Sequence, residues 1–548
     1  MNSFETIKQD FFNFLKNSLH VPESIIPAIQ FDINSDDAKS AFGDICTNVA
    51  LVSCKEMKTN PRALATQISQ EFSHPMIEKI EIAGPGFLNF FMKSSWFHEL
   101  GKQINQEKEK FFATKPAQDK KIHIEFVSAN PTGPMHVGHG RNGILGDVLA
   151  QTLEFLGYTV HKEFYINDAG AQITKLGNSF KIRCFQELDQ IVDLPEDAYH
   201  GQYLVDLAKK CVSKFGSNLL QEDDLFFATY AKEHLLQQLQ ITLESYGIIF
   251  HEWFSEKMLH DHGKVTESLN KLVATGHTFE QDGALWLRST TFGDDKDRVL
   301  RKANGELTYV AADVAYLLDK LERGYDELIM VLGHDHHSYK IRLKAILQAF
   351  GVDPNRLNVI LYQLVHVMKD GQPVKMSKRT GNMITLAEII EEVGKDIARF
   401  FFLFRKADAE LQFDIDLALS KTNENPIFYI QYAHVRTISV QKKAIQDGFS
   451  TTECNLLPEM TLQEKMLLKK LYQLKTLLPQ VAQNHQIHLV AHYAYEVANL
   501  FHAYYNQERF IIPDNVALTN HRLALVNLVQ INLRTAMFIM GIIPMQEM

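Results

Sequence analysis

The apolar positions of the first 120 residues recur at two different periods. Recurrence every three to four residues predicts helices, and alternation predicts strands. Helical spacing covers Phe4–Leu19 and Ala41–Lys58, and strand-like stretches at Ile77–Ile82 and Phe87–Met92 flank the turn Ala83–Gly86. We therefore predict a small α/β domain over residues 1–112, with the polar run Asn105–Lys121 leading out of it as a linker.

A second pattern begins at Lys121, where strands and helices alternate. The β-rich run Ile122–Val127 leads through a turn into an amphipathic helix, Gly138–Leu156, and then into a strand, Tyr158–Ile166. This order predicts a βαβ unit of a Rossmann-like parallel sheet. Later strands of that sheet are predicted at Leu328–Leu332 and Asn358–Val367. We expect a catalytic domain over residues 120–360, with an insertion of helices and a small β region at about 170–305.

The chain turns strongly helical after Asn425–Pro426. Helical patterns cover residues 427–446, 461–483, 486–508 and 516–540, which predicts a bundle over residues 426–548. Residues 361–425 connect the sheet to this bundle. The predicted fold class is a multidomain α/β plus all-α protein: a small α/β N-terminal domain, a Rossmann-like catalytic domain with an insertion, and an α-helical C-terminal bundle.

Composition narrows the possible functions without choosing one. Of 548 residues, 45% are hydrophobic and 22% charged, which predicts a folded protein of several domains rather than a disordered one. No apolar run reaches the roughly 18 residues of a membrane span, so no membrane association is expected. The five cysteines form no CxxC pair, which favours a reducing cytoplasm without structural zinc. The net charge of −10 argues weakly against nucleic-acid binding, although the bundle itself has ten basic and eight acidic residues.

Candidate chemistry lies at two distant motifs. His136-Val137-Gly138-His139 stands where a strand passes into a helix, and the N–H groups and dipole of a helix N-terminus suit polyphosphate. Two imidazoles can add donors there, and Gly138 lets a ligand approach the backbone. In Lys375-Met376-Ser377-Lys378-Arg379, three cations within five residues can hold a leaving pyrophosphate. Taken singly, the first motif could be two structural histidines and the second a solvated basic turn.

A third motif, Gly333-His334-Asp335-His336-His337, could hold a transition metal. Successive side chains of a strand point to opposite faces, however, so they cannot all reach one ion. We therefore assign no metal site and expect Mg²⁺ only with a bound polyphosphate, held mainly by the phosphates.

Together, the two phosphate motifs resemble the signatures of class I aminoacyl-tRNA synthetases, and their wider context is similar to the arginyl-tRNA synthetase family. The resemblance covers nearly the whole chain. The stretches that carry it include Asp44–Asn48, Ala83–Phe87, Glu125–His139, Tyr165–Gly170, Asp282–Arg288, Asp294–Arg298, Tyr309–Tyr316, Gly333–His337 and Tyr432–His434.

This resemblance implies ATP-dependent activation of L-arginine, followed by transfer of the arginyl group to the 2′-hydroxyl of the terminal adenosine of tRNA(Arg), with release of AMP and diphosphate. The bundle would bind the anticodon, the N-terminal domain would touch the tRNA, and residues 361–425 would carry the lysine loop and contact the acceptor stem. We expect a monomer. Two alternatives remain open: another nucleotidyltransferase of the HxGH type, which would not need the bundle, and a non-catalytic tRNA-binding paralogue.

The resemblance also implies a role for each site residue. Catalytic roles fall on His136, His139, Lys375 and Lys378. ATP-binding roles fall on His136, Gly138, His139, Lys375, Met376, Ser377 and Lys378. Arginine-binding roles fall on Glu125, Ser128, Asn130, His139, Tyr309, Asp313, Asp335 and His336. Helical spacing places Tyr309 and Asp313 on one face, where a carboxylate could pair with a guanidinium; a surface ion pair is the alternative.

Overall fold

The structure, a computed structural model, describes residues 3–35, 42–113, 119–374, 384–451 and 453–548. Its first region is an antiparallel sheet of strand order β1-β2-β4-β3, covered by helices. The strands are β1 (Phe31–Ile33), β2 (Ile45–Thr47), β3 (Ile77–Ala83) and β4 (Phe87–Met92). The helices are α1 (Ser3–Asn17), α2 (Val49–Ser53), α3 (Pro61–Glu71) and α4 (Ser94–Glu107).

Two predictions for this region are wrong in part. The helix expected over Ala41–Lys58 is, within residues 42–58, the strand β2 followed by the short helix α2. Residues of β2 alternate in burial and pair with β4, so strand pairing overrides the helical spacing. The expected linker does not begin at Asn105, because α4 runs to Glu107 and the next turn buries Phe111 and Phe112 completely.

A five-stranded parallel sheet follows, with strand order β12-β11-β5-β6-β7. Its strands are β5 (Lys121–Glu125), β6 (Thr159–Ile166), β7 (Glu252–Ser255), β11 (Glu327–Gly333) and β12 (Leu357–Tyr362). The chain first adds β6 and β7 on one side of β5 and then adds β11 and β12 on the other side. The order therefore reverses between β5 and β11, and ligands of open α/β sheets bind outside the carboxyl ends of the strands at such a point. The predicted βαβ unit and parallel sheet are confirmed.

The connections in this region carry the remaining elements. The helices are α5 (Val137–Phe155), α6 (Ala171–Glu187), α7 (Gln202–Phe215), α8 (Asp224–Ser245), α9 (Glu256–Asp261), α10 (Lys264–Ala274), α11 (Tyr309–Glu322) and α12 (His337–Ala349). A separate antiparallel sheet contains β8 (Thr278–Gln281), β9 (Ala284–Leu287) and β10 (Arg298–Arg301). The stretch predicted as an insertion thus also supplies β7 to the parallel sheet.

Residues after the sheet form a small mixed sheet and a helical bundle. The single strand predicted at Asn358–Val367 is wrong: β12 ends at Tyr362, and β13 (Val365–Lys369) pairs with β14 (Gln372–Pro373) and β15 (Leu411–Asp414). The helices beside this sheet are α13 (Leu386–Val393), α14 (Lys395–Phe404) and α15 (Ile415–Leu419). The four predicted bundle helices are confirmed as α16 (Pro426–Gln446), α17 (Leu462–Asn484), α18 (His488–Gln507) and α19 (Val516–Ile539).

Helix α5 is the central packing element. Three glycines one turn apart lie against different neighbours: a Cβ on Gly140 would come within 2.6 Å of Leu386, one on Gly143 within 2.7 Å of Ile248, and one on Gly146 within 2.2 Å of Phe126. Close approach of this kind leaves the helix little freedom to shift.

The buried carboxylate of Asp147 on α5 also joins this helix to the bundle. Arg399 donates to Asp147 Oδ2 at 2.6 Å and to the carbonyl oxygen of Met540 at 3.0 Å, after the end of α19. Across the described ranges, no helix combines the length and apolar character that crossing a bilayer requires.

Candidate functional site

A cleft of about 1110 Å³ opens at the carboxyl ends of β5 and β11, where the strand order reverses. Its lining brings together ten of the residues to which the sequence assigned roles. They are Glu125, Ser128, Asn130, His136, Gly138, His139, Tyr309, Asp313, Asp335 and His336. The other predicted residues, Lys375, Met376, Ser377 and Lys378, lie outside the described residues.

The backbone after β5 is held in an unusual conformation. Val127 and Ser128 both have positive φ angles, 67° and 44°, which cost energy in residues with side chains. The buried side chain of Asn142 on α5 stabilises this turn: its Oδ1 accepts from the N–H of Val127 at 2.7 Å, and its Nδ2 donates to the carbonyl oxygen of Val331 at 2.9 Å. Asn142 therefore ties the ends of β5 and β11 to the helix between them.

His136 and His139 cap the N-terminus of α5. Nδ1 of His136 accepts from the N–H of Gly138 at 3.0 Å, and Nδ1 of His139 accepts from the N–H of His136 at 3.3 Å. Their rings stack with centroids 3.8 Å apart. A neutral imidazole that accepts at Nδ1 carries its proton on Nε2. Both rings can therefore offer an Nε2–H donor beside the positive end of the helix dipole, which is an arrangement suited to phosphate oxygens.

An acidic pocket lies on the other side of the cleft. The hydroxyl of Tyr339 on α12 donates to Oδ1 of Asp313 at 2.7 Å. Burial raises the pKa of Asp313 to about 7, and the Tyr339 hydrogen bond and the charge of Arg342 oppose that rise only in part. Within the described ranges, no lysine or arginine nitrogen lies within 4.0 Å of this carboxylate. Asp313 is thus a desolvated acid that a bound cation would stabilise in its charged form.

Glu256 is a second carboxylate of this pocket, and the sequence did not single it out. It is 5% exposed and begins α9 at the end of β7. Asp168 fixes that turn, because it accepts from the Ser255 hydroxyl at 2.9 Å and from the N–H of Lys257 at 3.0 Å. Burial raises the pKa of Glu256, while its hydrogen bond with Tyr165 acts in the opposite direction. The position of Glu256 directly after a strand was the available signal.

Glu125 differs from these two carboxylates because it already has a cation. Nζ of Lys320, completely buried on α11, lies 2.5 Å from Glu125 Oε2. Ser128 is also engaged: its hydroxyl donates to Glu125 Oε1 at 3.4 Å and accepts from the N–H of Tyr165 at 3.1 Å. Glu125 and Ser128 therefore shape the floor of the cleft.

The remaining predicted residues lie at its rim. Asn130 is exposed beyond the strained turn, and Tyr309 at the start of α11 is 70% exposed. Asp335 and His336 lie in the turn between β11 and α12. Further lining residues that the sequence did not assign are Tyr165, Asn167, Glu256, Tyr339, Arg342, Tyr362 and Gln363. Most of them follow or precede strands that meet only in the folded sheet.

A parallel sheet whose switch point meets the N-terminus of a helix is typical of nucleotide-binding α/β proteins. Comparison with known families narrows this class. The family of "tRNA synthetases class I (R), catalytic domain" matches residues 102–402, the "DALR anticodon binding domain" matches residues 430–548, and the "Arginyl tRNA synthetase N terminal domain" matches residues 5–92.

Individual relatives are similar to this chain over nearly its whole length. The chain is 40% identical to the arginine--tRNA ligase of Desulforamulus reducens over 541 residues, covering 97% of this chain and 95% of the relative. It is 42% identical to that of Shouchella clausii over 533 residues, covering 96% and 95%. The fold matches the Thermus thermophilus arginyl-tRNA synthetase with a TM-score of 0.75 at 20% identity, covering 95% of this chain and 96% of the other. The chain therefore belongs to the arginyl-tRNA synthetase family of class I aminoacyl-tRNA synthetases.

Proposed function

We propose that this protein is an arginine--tRNA ligase, which activates L-arginine with ATP and transfers it to the 2′-hydroxyl of the terminal adenosine of tRNA(Arg). The arginine carboxylate attacks the α-phosphate of ATP, the bond to the β-phosphate breaks, and diphosphate leaves. Transfer to the tRNA then releases AMP. The observation that carries this proposal is the pairing, in one cleft, of a helix-tip histidine pair with a half-buried carboxylate, Asp313, that has no lysine or arginine partner in the described residues.

Arginine would bind across the strand ends. We place its guanidinium at Asp313 and Glu256, with Tyr309 closing the pocket from the rim, because an ionised pair of this kind is stabilised when both members are desolvated and hydrogen-bonded. Its amino and carboxylate ends would reach Ser128 and Asn130, beside His139. Asp335 and His336 would close the side next to α12.

ATP would lie along the N-terminus of α5 as its magnesium complex. The side-chain-free approach at Gly138, the helix dipole and the imidazoles of His136 and His139 would hold the α-phosphate, and Lys375 and Lys378 would hold the departing diphosphate. In such a site the protein contributes positioning and charge stabilisation, and it forms no covalent intermediate with substrate.

The proposed partners beyond ATP and arginine are tRNA(Arg), bound by residues 430–548 and the N-terminal domain, in a cytoplasmic monomer. The matched anticodon-binding family over residues 430–548 supports the tRNA contact. Light scattering of the purified protein at micromolar concentration would report the mass of one chain, and a mass of two chains would contradict the monomer.

The decisive experiment is pyrophosphate exchange with each of the twenty amino acids, with and without total tRNA. We expect exchange with arginine, and only when tRNA is present. Exchange with another amino acid and none with arginine would overturn the proposal. A chain truncated after residue 425 serves as the comparison, because another nucleotidyltransferase would keep its activity without the bundle, whereas tRNA charging would be lost.

A further inference from the structure

Tyr203 connects the helices of the inserted stretch to the loop in front of the histidine motif. It is the second residue of α7, and its hydroxyl donates to the carbonyl oxygen of Thr132 at 2.6 Å. Thr132 belongs to the segment Pro131–Met135, which ends one residue before the helix cap His136. A single side chain from a different part of the fold thus holds the backbone that leads into the phosphate site.

The ring of Tyr203 also packs closely against two glycines, Gly133 and Gly201. A Cβ on Gly133 would lie 3.2 Å from the Tyr203 ring and hydroxyl oxygen, and a Cβ on Gly201 would lie 2.2 Å from the ring. Gly201 precedes α7 and lets the tyrosine ring fold back over the backbone. Gly133 has no positive φ angle, so it is the ring, which a Cβ would press by a few tenths of an ångström, that disfavours a side chain there.

The far end of the same segment is held by the connecting region. The N–H of Leu386 donates to the carbonyl oxygen of Met135 at 2.8 Å, and His136 forms an antiparallel bridge with Thr385. Leu386 also packs against Gly140 of α5. The segment Pro131–Met135 is therefore fixed near its start by Tyr203 of the insertion and at its end by the first residues of α13. The helix cap His136 follows directly after it and faces the cleft.

We propose that Tyr203 is a positioning residue for the phosphate-binding end of α5: by holding Thr132 and Gly133, it sets the place of His136 and of the first-turn N–H groups relative to ATP. This inference rests on the proposed function and concerns its adenylate-forming step. Displacing catalytic groups by about 1 Å can cost about a hundredfold in rate, so a contact outside the cleft can control the chemistry within it.

Two variants separate the hydroxyl from the ring. Tyr203→Phe keeps the ring and should raise the KM for ATP about fivefold, because one buried hydrogen bond to a carbonyl oxygen is lost. Tyr203→Ala removes both contacts and should lower kcat/KM for ATP about thirtyfold. In both variants the arginine KM should rise clearly less than the ATP KM, because the acidic pocket for the guanidinium is built on α9, α11 and α12 and only the other end of arginine lies near this loop. Tyr230→Phe, which removes a hydroxyl from α8 of the same insertion, is the matched control and should change neither KM.

A double-mutant cycle tests the contact itself. Gly133→Ala should lower kcat/KM for ATP about tenfold in the native background and less than about twofold with Tyr203→Ala, where the ring is gone. An equal cost of Gly133→Ala in both backgrounds would overturn the proposal. So would unchanged ATP kinetics in Tyr203→Phe and Tyr203→Ala, or parallel rises in the KM values of ATP and arginine. If Tyr203→Ala does not fold, Tyr203→Phe still decides through the KM comparison. Native protein that charges no arginine would instead refute the proposed function.

Discussion

Two carboxylates, Glu163 on β6 and Asp313 on α11, face opposite situations. Glu163 on β6 is fully buried, with Arg323 Nη1 2.5 Å from its Oε2 and His123 Nε2 3.0 Å from its Oε1. Burial alone would raise its pKa, but the hydrogen bonds from His123 and Arg323 outweigh burial and hold the pKa of Glu163 well below its usual range. Asp313 instead accepts a hydrogen bond from the neutral hydroxyl of Tyr339, and burial raises its pKa to about 7. Burial therefore does not decide the charge of a carboxylate; its partner does.

The comparison also explains a cluster that resembles a metal site. Among the described residues, the ligand atoms of His161, Glu163 and Glu252 lie within 4.8 Å of one another, which is close enough to bind one metal ion. Arg323 Nη1 already lies 2.5 Å from Glu163 and 3.0 Å from Glu252, so a guanidinium stands where a metal ion would be. The protein's own Arg323 therefore pairs with the carboxylates of this cluster, whereas the guanidinium that we propose for Asp313 would be that of the substrate arginine.

The largest expected effect is a loss of stability on removing Arg323, the cation that pairs with buried Glu163. Arg323→Ala leaves Glu163 buried without its cation and should lower the free energy of unfolding by about 3–5 kcal/mol, visible as a lower urea midpoint. Arg301→Ala is the control, because Arg301 is about half exposed and lies 3.7 Å from Glu280; it should cost less than about 1 kcal/mol. Equal losses in the two variants would mean that Glu163 is not charged in the folded protein.

Asp313→Asn should impair the use of arginine without lowering the stability of the fold. Without the carboxylate, kcat/KM for arginine should fall about a hundredfold, because a desolvated guanidinium loses its charged partner. The urea midpoint should not fall, since an acid whose ionisation is unfavourable has been removed. Glu322→Gln on the same helix, exposed and paired with Lys271, is the matched control. An unchanged arginine KM in Asp313→Asn would move the specificity of the pocket to Glu256.

The pH dependence of arginine binding should show the same group titrating. The pKa of Asp313 is raised, so in the free enzyme its ionisation costs stability as the pH rises from about 4 towards 7. In the proposed site, arginine binds the ionised form of Asp313. The arginine KM should therefore be constant above about pH 7 and rise about tenfold per pH unit below it. Aminoacylation measured from pH 5.5 to 8 checks this, and a slope that persists in Asp313→Asn would assign it to another group.

The smallest expected effect is on the arginine KM when Tyr339, the hydrogen-bond partner of Asp313, is changed. Tyr339→Phe removes the hydrogen bond that holds the pKa of Asp313 down, so the acid limb should shift upwards and the arginine KM at pH 7.5 should rise about threefold. In the Asp313→Asn background the same substitution should have no further effect on the KM. A full threefold effect in that background would show that Tyr339 contacts the substrate directly.

Long periodic segments were predictable because their own residues specify them. The bundle helices α16 to α19 begin and end within two residues of the predicted limits, and α5 begins one residue before its prediction. Short strands with a clear apolar run, such as β3, β4 and β11, were also predicted, but β2 and β7 were not, since they exist through pairing with β4 and β6. For the same reason the sequence missed Glu256, which reaches the cleft only because β7 completes the edge of the parallel sheet. The role of each site residue stays a prediction.

The glycines of α5 have a practical consequence for saturation mutagenesis. Gly140, Gly143 and Gly146 face Leu386, Ile248 and Phe126 so closely that any added atom must displace a neighbour. A fitness map of this chain should therefore show three sensitive positions, spaced one turn apart, just downstream of His139, with Gly146 the least tolerant because its neighbour is the base of the Phe126 ring and not the end of a flexible side chain. They would look like an extension of the reaction centre, yet their intolerance would report steric exclusion, and thermal unfolding of each variant would tell the two explanations apart.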